Sequence, residues 1–186
     1  KIMLQNLKLK LVAAAALLFS STAFAGFGNF PGDGSVGNPY ELGNIGPAPT
    51  TLSALLIGST GSSFEEYANF TIPTFSSTTG SASTLFLSLG GFVVNDITGF
   101  AVEVWNNTHP NGTTLIASFT DDGLTHSLGD LLPGQYHLDI SGTFGANLGQ
   151  YSVSLQALPV PEPETYAMLL AGLGLIGFSL RKRKLA

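Results

Sequence analysis

All seven Lys and Arg residues of this 186-residue chain lie near its two ends: Lys1, Lys8 and Lys10 at the front, Arg181, Lys182, Arg183 and Lys184 at the back. Residues 26–160 contain neither type, against ten carboxylates (Asp33, Glu41, Glu65, Glu66, Asp96, Glu103, Asp121, Asp122, Asp130 and Asp139), a formal charge of −10 with neutral histidines. No Lys– or Arg–carboxylate salt bridge can form there, and with no cysteine in the chain there is no disulfide, thiolate ligand or cysteine nucleophile either. Whatever folds in the middle is held by packing and hydrogen bonds. A field of this sign repels phosphate backbones, which are bound through Lys and Arg, so nucleic acid is excluded as a partner. Divalent cations and polar carbohydrate are compatible with it.

At 44% hydrophobic residues and 23 glycines the chain is too apolar for disorder and too glycine-rich for a helical fold. Short runs rich in β-branched and aromatic residues recur between turn signals, and predict strands at 66–72, 83–89, 99–105, 114–119, 135–141 and 150–156. The fold class expected is all-β: an antiparallel, jelly-roll-like β-sandwich over 64–158, flanked by an N-terminal signal helix and a single C-terminal hydrophobic helix. Residues 26–63, rich in Gly and Pro, read mostly as loop and edge, with one strand at 52–57. Pro133-Gly134 suits positions i+1 and i+2 of a type II turn. After it, Tyr136, Leu138 and Ile140 alternate with Gln135, His137 and Asp139, and Tyr151, Val153 and Leu155 repeat the inward pattern, so these two strands are expected to pair as a hairpin.

Residues 1–25 have the three-part order of a secretory signal: a basic start, the apolar run 11–19, and the exit Ala23-Phe24-Ala25. Cleavage by signal peptidase is expected after Ala25. At the other end Pro161-Glu162-Pro163 precedes an apolar stretch at 166–180 and then Arg181 to Lys184, over a tail spanning 159–186. Proline suits a first helical turn, Glu164 complements the helix N-terminus, and the four cations complement its C-terminus and stay cytoplasmic. Fifteen helical residues rise about 22 Å against roughly 30 Å of hydrocarbon. Such a transmembrane helix anchors weakly, which suits an intermediate bound for removal.

Val160-Pro161-Glu162-Pro163-Glu164, the Gly/Leu-rich stretch 169–178 and the basic end resemble the PEP-CTERM sorting signal. The resemblance implies recognition by an exosortase, transient inner-membrane anchoring, removal of the helix near Pro161-Glu162-Pro163, and transfer of an exported ectodomain to the cell surface or extracellular matrix, in bacteria that make exopolysaccharide and biofilm. The competing reading of the tail is a permanent membrane anchor. Residues 131–142 with 149–153 resemble the last hairpin of the FxDxF family of PEP-CTERM proteins and are similar to bacterial pre-peptidase C-terminal sandwich domains. Of the FxDxF motif, Phe64-Glu65-Glu66-Tyr67-Ala68 keeps the first Phe and an acid two places on, with Glu for Asp and Ala for the last Phe.

Catalytic constellations are not visible, and the chain is expected to be no enzyme: no Gly-x-Ser-x-Gly elbow occurs, and His109, His126 and His137 have no recognisable partner order. Asp121-Asp122-Gly123 with Asp130 is an oxygen-rich candidate for a Ca²⁺ loop, the one cofactor considered, without the EF-hand ligand pattern. His137 and Asp139 share a strand face and supply two metal-ligand types, although an exposed polar face is the simpler expectation. Trp105 and Phe100 are candidates for a sugar-stacking surface, with core packing as the alternative. Asn69, Asn106 and Asn111 head formal glycosylation sequons, the last placed at a hairpin tip. The function expected is thus a non-enzymatic surface or matrix protein; a sugar- or calcium-binding adhesin module is the alternative.

Overall fold

Alternation of inward and outward side chains along short strands builds this domain, and it does so over more of the chain than the hydrophobic runs suggest. A computed structural model describes residues 30–161 and 163–184, and the side chains of 163–164 and 177–184 fall outside that description. The signal expected at 1–25, with Ala23 and Ala25, and Glu162 of the sorting motif lie outside the described residues. The strands are β1 (Tyr40–Asn44), β2 (Thr50–Ile57), β3 (Ser63–Ile72), β4 (Ser76–Thr84), β5 (Leu87–Leu89), β6 (Phe92–Asn95), β7 (Ile97–Asn106), β8 (Leu115–Thr120), β9 (Thr125–Leu131), β10 (Gly134–Phe144) and β11 (Leu148–Pro159). A helix, α1 (Pro163–Lys184), follows.

The strands form two sheets with one core between them, a sandwich-like all-β fold. One sheet has the order β1-β3-β10-β7-β8; in the other, β11 is flanked by β2 on one edge and β4 on the other, β4 continues to β9, and the β5–β6 ribbon joins at Leu148↔Asn95. The expected purely antiparallel arrangement needs correction, because β1 runs parallel to β3 and the β6–β11 bridge is parallel too. The Gly/Pro-rich segment 26–63 supplies edge strands, as expected, but two of them: β2 covers the strand expected at 52–57, β1 is additional, and Leu42, Ile45 and Leu52 are buried in the core.

The expected terminal hairpin is absent. β10 pairs with β3 and β7, while β11 pairs with β2 and β4 in the opposite sheet, so both edges of each strand are taken. The short connection at 145–147 arches between sheets. Nor is Pro133-Gly134 a type II turn, since Gly134 opens β10 opposite Ile72 and lacks the positive φ that turn demands. The alternation itself holds: Tyr136, Leu138 and Ile140 are buried from one sheet, and Tyr151, Val153 and Leu155 meet them from the other.

Two glycines set the shape of the sheets. Gly99 (φ 60°) and Gly129 (φ 81°) sit where the pairing of β7 with β10 and of β9 with β4 slips by one residue. Each bulge needs a left-handed residue, which glycine adopts without a Cβ penalty. β4 has an inward row of Ser76, Thr78, Gly80 and Ala82. Phe119 fills the space over Gly80, and the buried hydroxyls of Ser76 and Thr78 donate to the carbonyls of Thr74 and Ser76 at 2.7 and 3.3 Å.

Candidate functional site

Three features of this frame bear on function: an inward carboxylate at one end of the sandwich, a histidine cluster on its outer face, and the tail. Glu66 on β3 faces inward, where its carboxylate accepts hydrogen bonds from the Tyr40 and Tyr151 hydroxyls. Phe64, two residues before it, stacks parallel to Tyr151 with centroids 6.2 Å apart and packs on Phe144 at 5.4 Å. Phe64 and Glu66, the two positions that keep the FxDxF pattern, are therefore a packing and hydrogen-bonding unit. Burial pushes the Glu66 carboxyl above its usual range, against the two hydroxyls that pull it down. Burial, with the Glu66 charge next, raises Tyr151 and pushes Tyr40 up to about 12. Beside this unit opens a cleft of about 460 Å³ lined by Asp33, Phe64, Glu65, Glu66, Leu56 and Phe144.

The outer face of the five-stranded sheet carries His137 and Asp139 on β10, as their alternation implies. His137 is nonetheless only 3% exposed, which corrects the expectation of an exposed polar face. The β7–β8 loop folds over it. His137 Nδ1 lies 2.7 Å from the Asn107 carbonyl, so that nitrogen is the donor, and Nε2 sits 3.3 Å from Asp139 Oδ1. The same loop brings in His109, whose Nδ1 is 3.9 Å from Asp139 Oδ1. Its ring tilts over Tyr67 with centroids 3.7 Å apart, and its backbone N–H donates to Asn69 Oδ1 at 2.9 Å. Asn69 Nδ2 in turn donates to Glu41 at 2.8 Å, so the first sequon asparagine is a buried strut.

Sequence spacing pairs His137 with Asp139 but misses His109, 28 residues earlier in a loop. Burial lowers the His109 pKa, opposed by the Asp139 charge, and burial raises that of Asp139, opposed by the two histidines. Gly112 makes the loop's close approach possible, because a Cβ there would stand 2.3 Å from His137 Cε1.

The other candidates are dispersed. Among the described residues the grouping of three metal-capable side chains is His109, His137 and Asp139, rather than Asp121, Asp122 and Asp130. Asp121 accepts from Thr84, Asp122 accepts from the Leu124 N–H and faces His126 at 2.9 Å, and Asp130 lies on β9 opposite Ser77. Trp105 and Phe100 do not share a surface. Phe100 is in the core against Tyr151, whereas Trp105, five residues on and so on the opposite face, donates to Glu103 at 3.1 Å. Asn111 lies within the β7–β8 hairpin loop.

The tail begins where the sandwich ends. The last residue of β11 is Pro159, Val160 N–H still donates to the Phe75 carbonyl at 3.0 Å, and α1 starts at Pro163. Tyr166, Met168, Leu169, Leu170, Leu173, Leu175 and Ile176 on α1 are exposed. Among the described residues no helix is long and apolar enough to cross a membrane. Residues 159–184 match the family model of the PEP-CTERM protein-sorting motif. The tail is a PEP-CTERM sorting motif. It marks an exported, surface-sorted protein and implies processing by an exosortase.

No curated protein matches the chain. Solved structures similar to the sandwich include the pre-peptidase C-terminal domain of collagenase from Bacillus anthracis, at 18% identity and a TM-score of 0.41, covering 63% of this chain and 96% of that one. Another is PliG of Salmonella Typhimurium, a periplasmic inhibitor of g-type lysozyme, at 16% identity, TM-score 0.31, and 61% and 97% coverage. A third is the Yersinia pseudotuberculosis-derived mitogen, at 11% identity, TM-score 0.37, and 63% and 92% coverage. At such scores no property of those proteins transfers to this one.

Proposed function

We propose that this is a non-enzymatic surface or extracellular-matrix protein whose sandwich is exported, held briefly at the inner membrane by its tail, released by an exosortase near Pro161-Glu162-Pro163, and retained with exopolysaccharide. The observation that carries the reading is the sorting motif at 159–184, which starts at the last residue of β11 and leaves the sandwich whole if the tail is removed. The apolar side chains exposed along α1 support a temporary seat in lipid or against a membrane enzyme. The middle of the chain, with ten carboxylates and no Lys or Arg, supports an extracellular life among hydrated neutral or cation-bridged polymers rather than on nucleic acid.

Cell fractionation tests this. Deleting the exosortase is expected to trap the unprocessed chain with the membrane, and truncation after Pro159 to shift the sandwich from the cell surface to the medium or periplasm. Surface retention unchanged by both manipulations would overturn the reading.

A further inference from the structure

We propose that His109, His137 and Asp139 bind a transition-metal ion of the Zn²⁺ class, which clips the β7–β8 loop onto the outer face of the five-stranded sheet. The position of one proton matters first. The Asn107 carbonyl can only accept, so His137 Nδ1 carries the hydrogen and the Nε2 of the neutral ring is a lone pair. That lone pair faces Asp139 Oδ1 at 3.3 Å, acceptor against acceptor, and Asp139 Oδ1 is buried without a hydrogen-bond partner. Buried polar atoms are nearly always satisfied, so an orphaned carboxylate oxygen between two imidazoles calls for a cation.

The sandwich has no Lys or Arg to give, because residues 26–160 lack both, and Glu65 and Glu103 add negative charge around Asp139. Donor type then selects the ion. Two imidazole nitrogens and one carboxylate oxygen suit zinc and its borderline neighbours, whereas Ca²⁺ and Mg²⁺ take oxygen sets.

Spacing agrees. Donors 2.0–2.1 Å from a tetrahedral zinc stand about 3.3 Å apart. His137 Nε2 and Asp139 Oδ1 are already at 3.3 Å; His109 Nδ1, 3.9 Å from that oxygen, closes on it by about half an ångström, and the two imidazole nitrogens, within 4.8 Å of each other, close by up to about 1.5 Å. All three donor atoms lie within 4.8 Å of one another. The outer group of His137 has the form a metal site needs, the Asn107 carbonyl fixing its tautomer; His109 is held through its backbone by the Asn69–Glu41 pair, while its Nε2 is buried without a hydrogen-bond partner. Three protein donors leave the fourth zinc position to water or to a donor from whatever binds this face.

The test uses the full-length protein without a polyhistidine tag, stripped with EDTA, and Zn²⁺ titrated against a chromophoric chelator. One Zn²⁺ per chain at micromolar or tighter affinity is expected, with Asp139→Asn and His109→Ala each weakening it on the order of 100-fold, the upper end of what loss of an outer partner alone costs. Far-UV circular dichroism in EDTA checks that both variants fold. Co²⁺ gives a variant-independent readout: a visible d–d band of a four-coordinate, histidine-bound ion is expected in the unmodified protein. No stoichiometric binding, no such band, or variants that bind as tightly as the parent would overturn the proposal; the first two would leave a His137 imidazolium as the partner of Asp139.

Discussion

Leu138→Ala probes the centre of the fold. Leu138 is fully buried on β10, the middle strand of its sheet, and is flanked in register by Ala68 on β3 and Val104 on β7, both also fully buried. Truncation removes three carbons, about 2.4 kcal/mol of transfer free energy at ~0.8 kcal/mol each. Ala68 is too small to fill the space and Val104 is fixed by its own ladder, so a cavity of roughly 50 Å³ adds about 1.2 kcal/mol. The sum, about 3.5 kcal/mol, is a large part of the 5–15 kcal/mol typical of a domain, and no disulfide shares the load. Urea denaturation followed by Trp105 fluorescence reads it directly, and the melting temperature is expected to fall by roughly 10–15 °C. Leu132→Ala, at a residue 67% exposed, is the control and is expected to stay within about 0.5 kcal/mol. A Leu138→Ala loss below about 1.5 kcal/mol, or one equal to the control, would refute the reasoning that places the core here.

Glu66 sets a pH dependence: its folded pKa is raised by burial, so its contribution is full below the unfolded value near 4.5 and is lost as pH rises through the folded one. Melting temperature is therefore expected to fall from pH 4.5 to 7.5, with Glu66→Gln flattening that slope; an unchanged slope in the variant would contradict the assignment. Because the ten carboxylates of 26–160 face no Lys or Arg, added NaCl is expected to raise the melting temperature at pH 7.5 rather than lower it. Gly129→Ala and Gly37→Ala both add a Cβ to open space, but only Gly129 has positive φ, so denaturation should show a cost of about 1–2 kcal/mol for the first and little for the second. Gly112→Ala, whose Cβ would collide with His137, is expected to cost about 1–3 kcal/mol and to displace the β7–β8 loop, measurable as a change in Trp105 emission.

The strands legible in the sequence are those whose inward row is large and apolar. β3, β7, β10 and β11 fall where the hydrophobic alternation puts them. β4 escapes that pattern because its inward row is Ser, Thr, Gly and Ala, with the bulk supplied by Phe119 from β8; the expected strand at 83–89 straddles its end and β5. Alternation assigns faces within a strand but not partners between strands, which is why β10 and β11 are legible as strands and yet suggest a hairpin that does not form. The outer-face cluster is half visible for the same reason. His137 and Asp139 share a face by period, but His109 arrives through a loop whose path no local pattern specifies, and Gly112, which permits that path, looks in the sequence like any turn glycine. The tail, by contrast, is a linear signal, so its residues carry the motif without help from tertiary structure.

Intact mass spectrometry of the protein recovered from the cell surface bears most directly on the sorting motif. A species that begins after Ala25 and ends near Pro161-Glu162-Pro163 is expected. A surface species that still carries Arg181 to Lys184 would contradict release by the sorting enzyme and leave α1 as a permanent part of the mature protein.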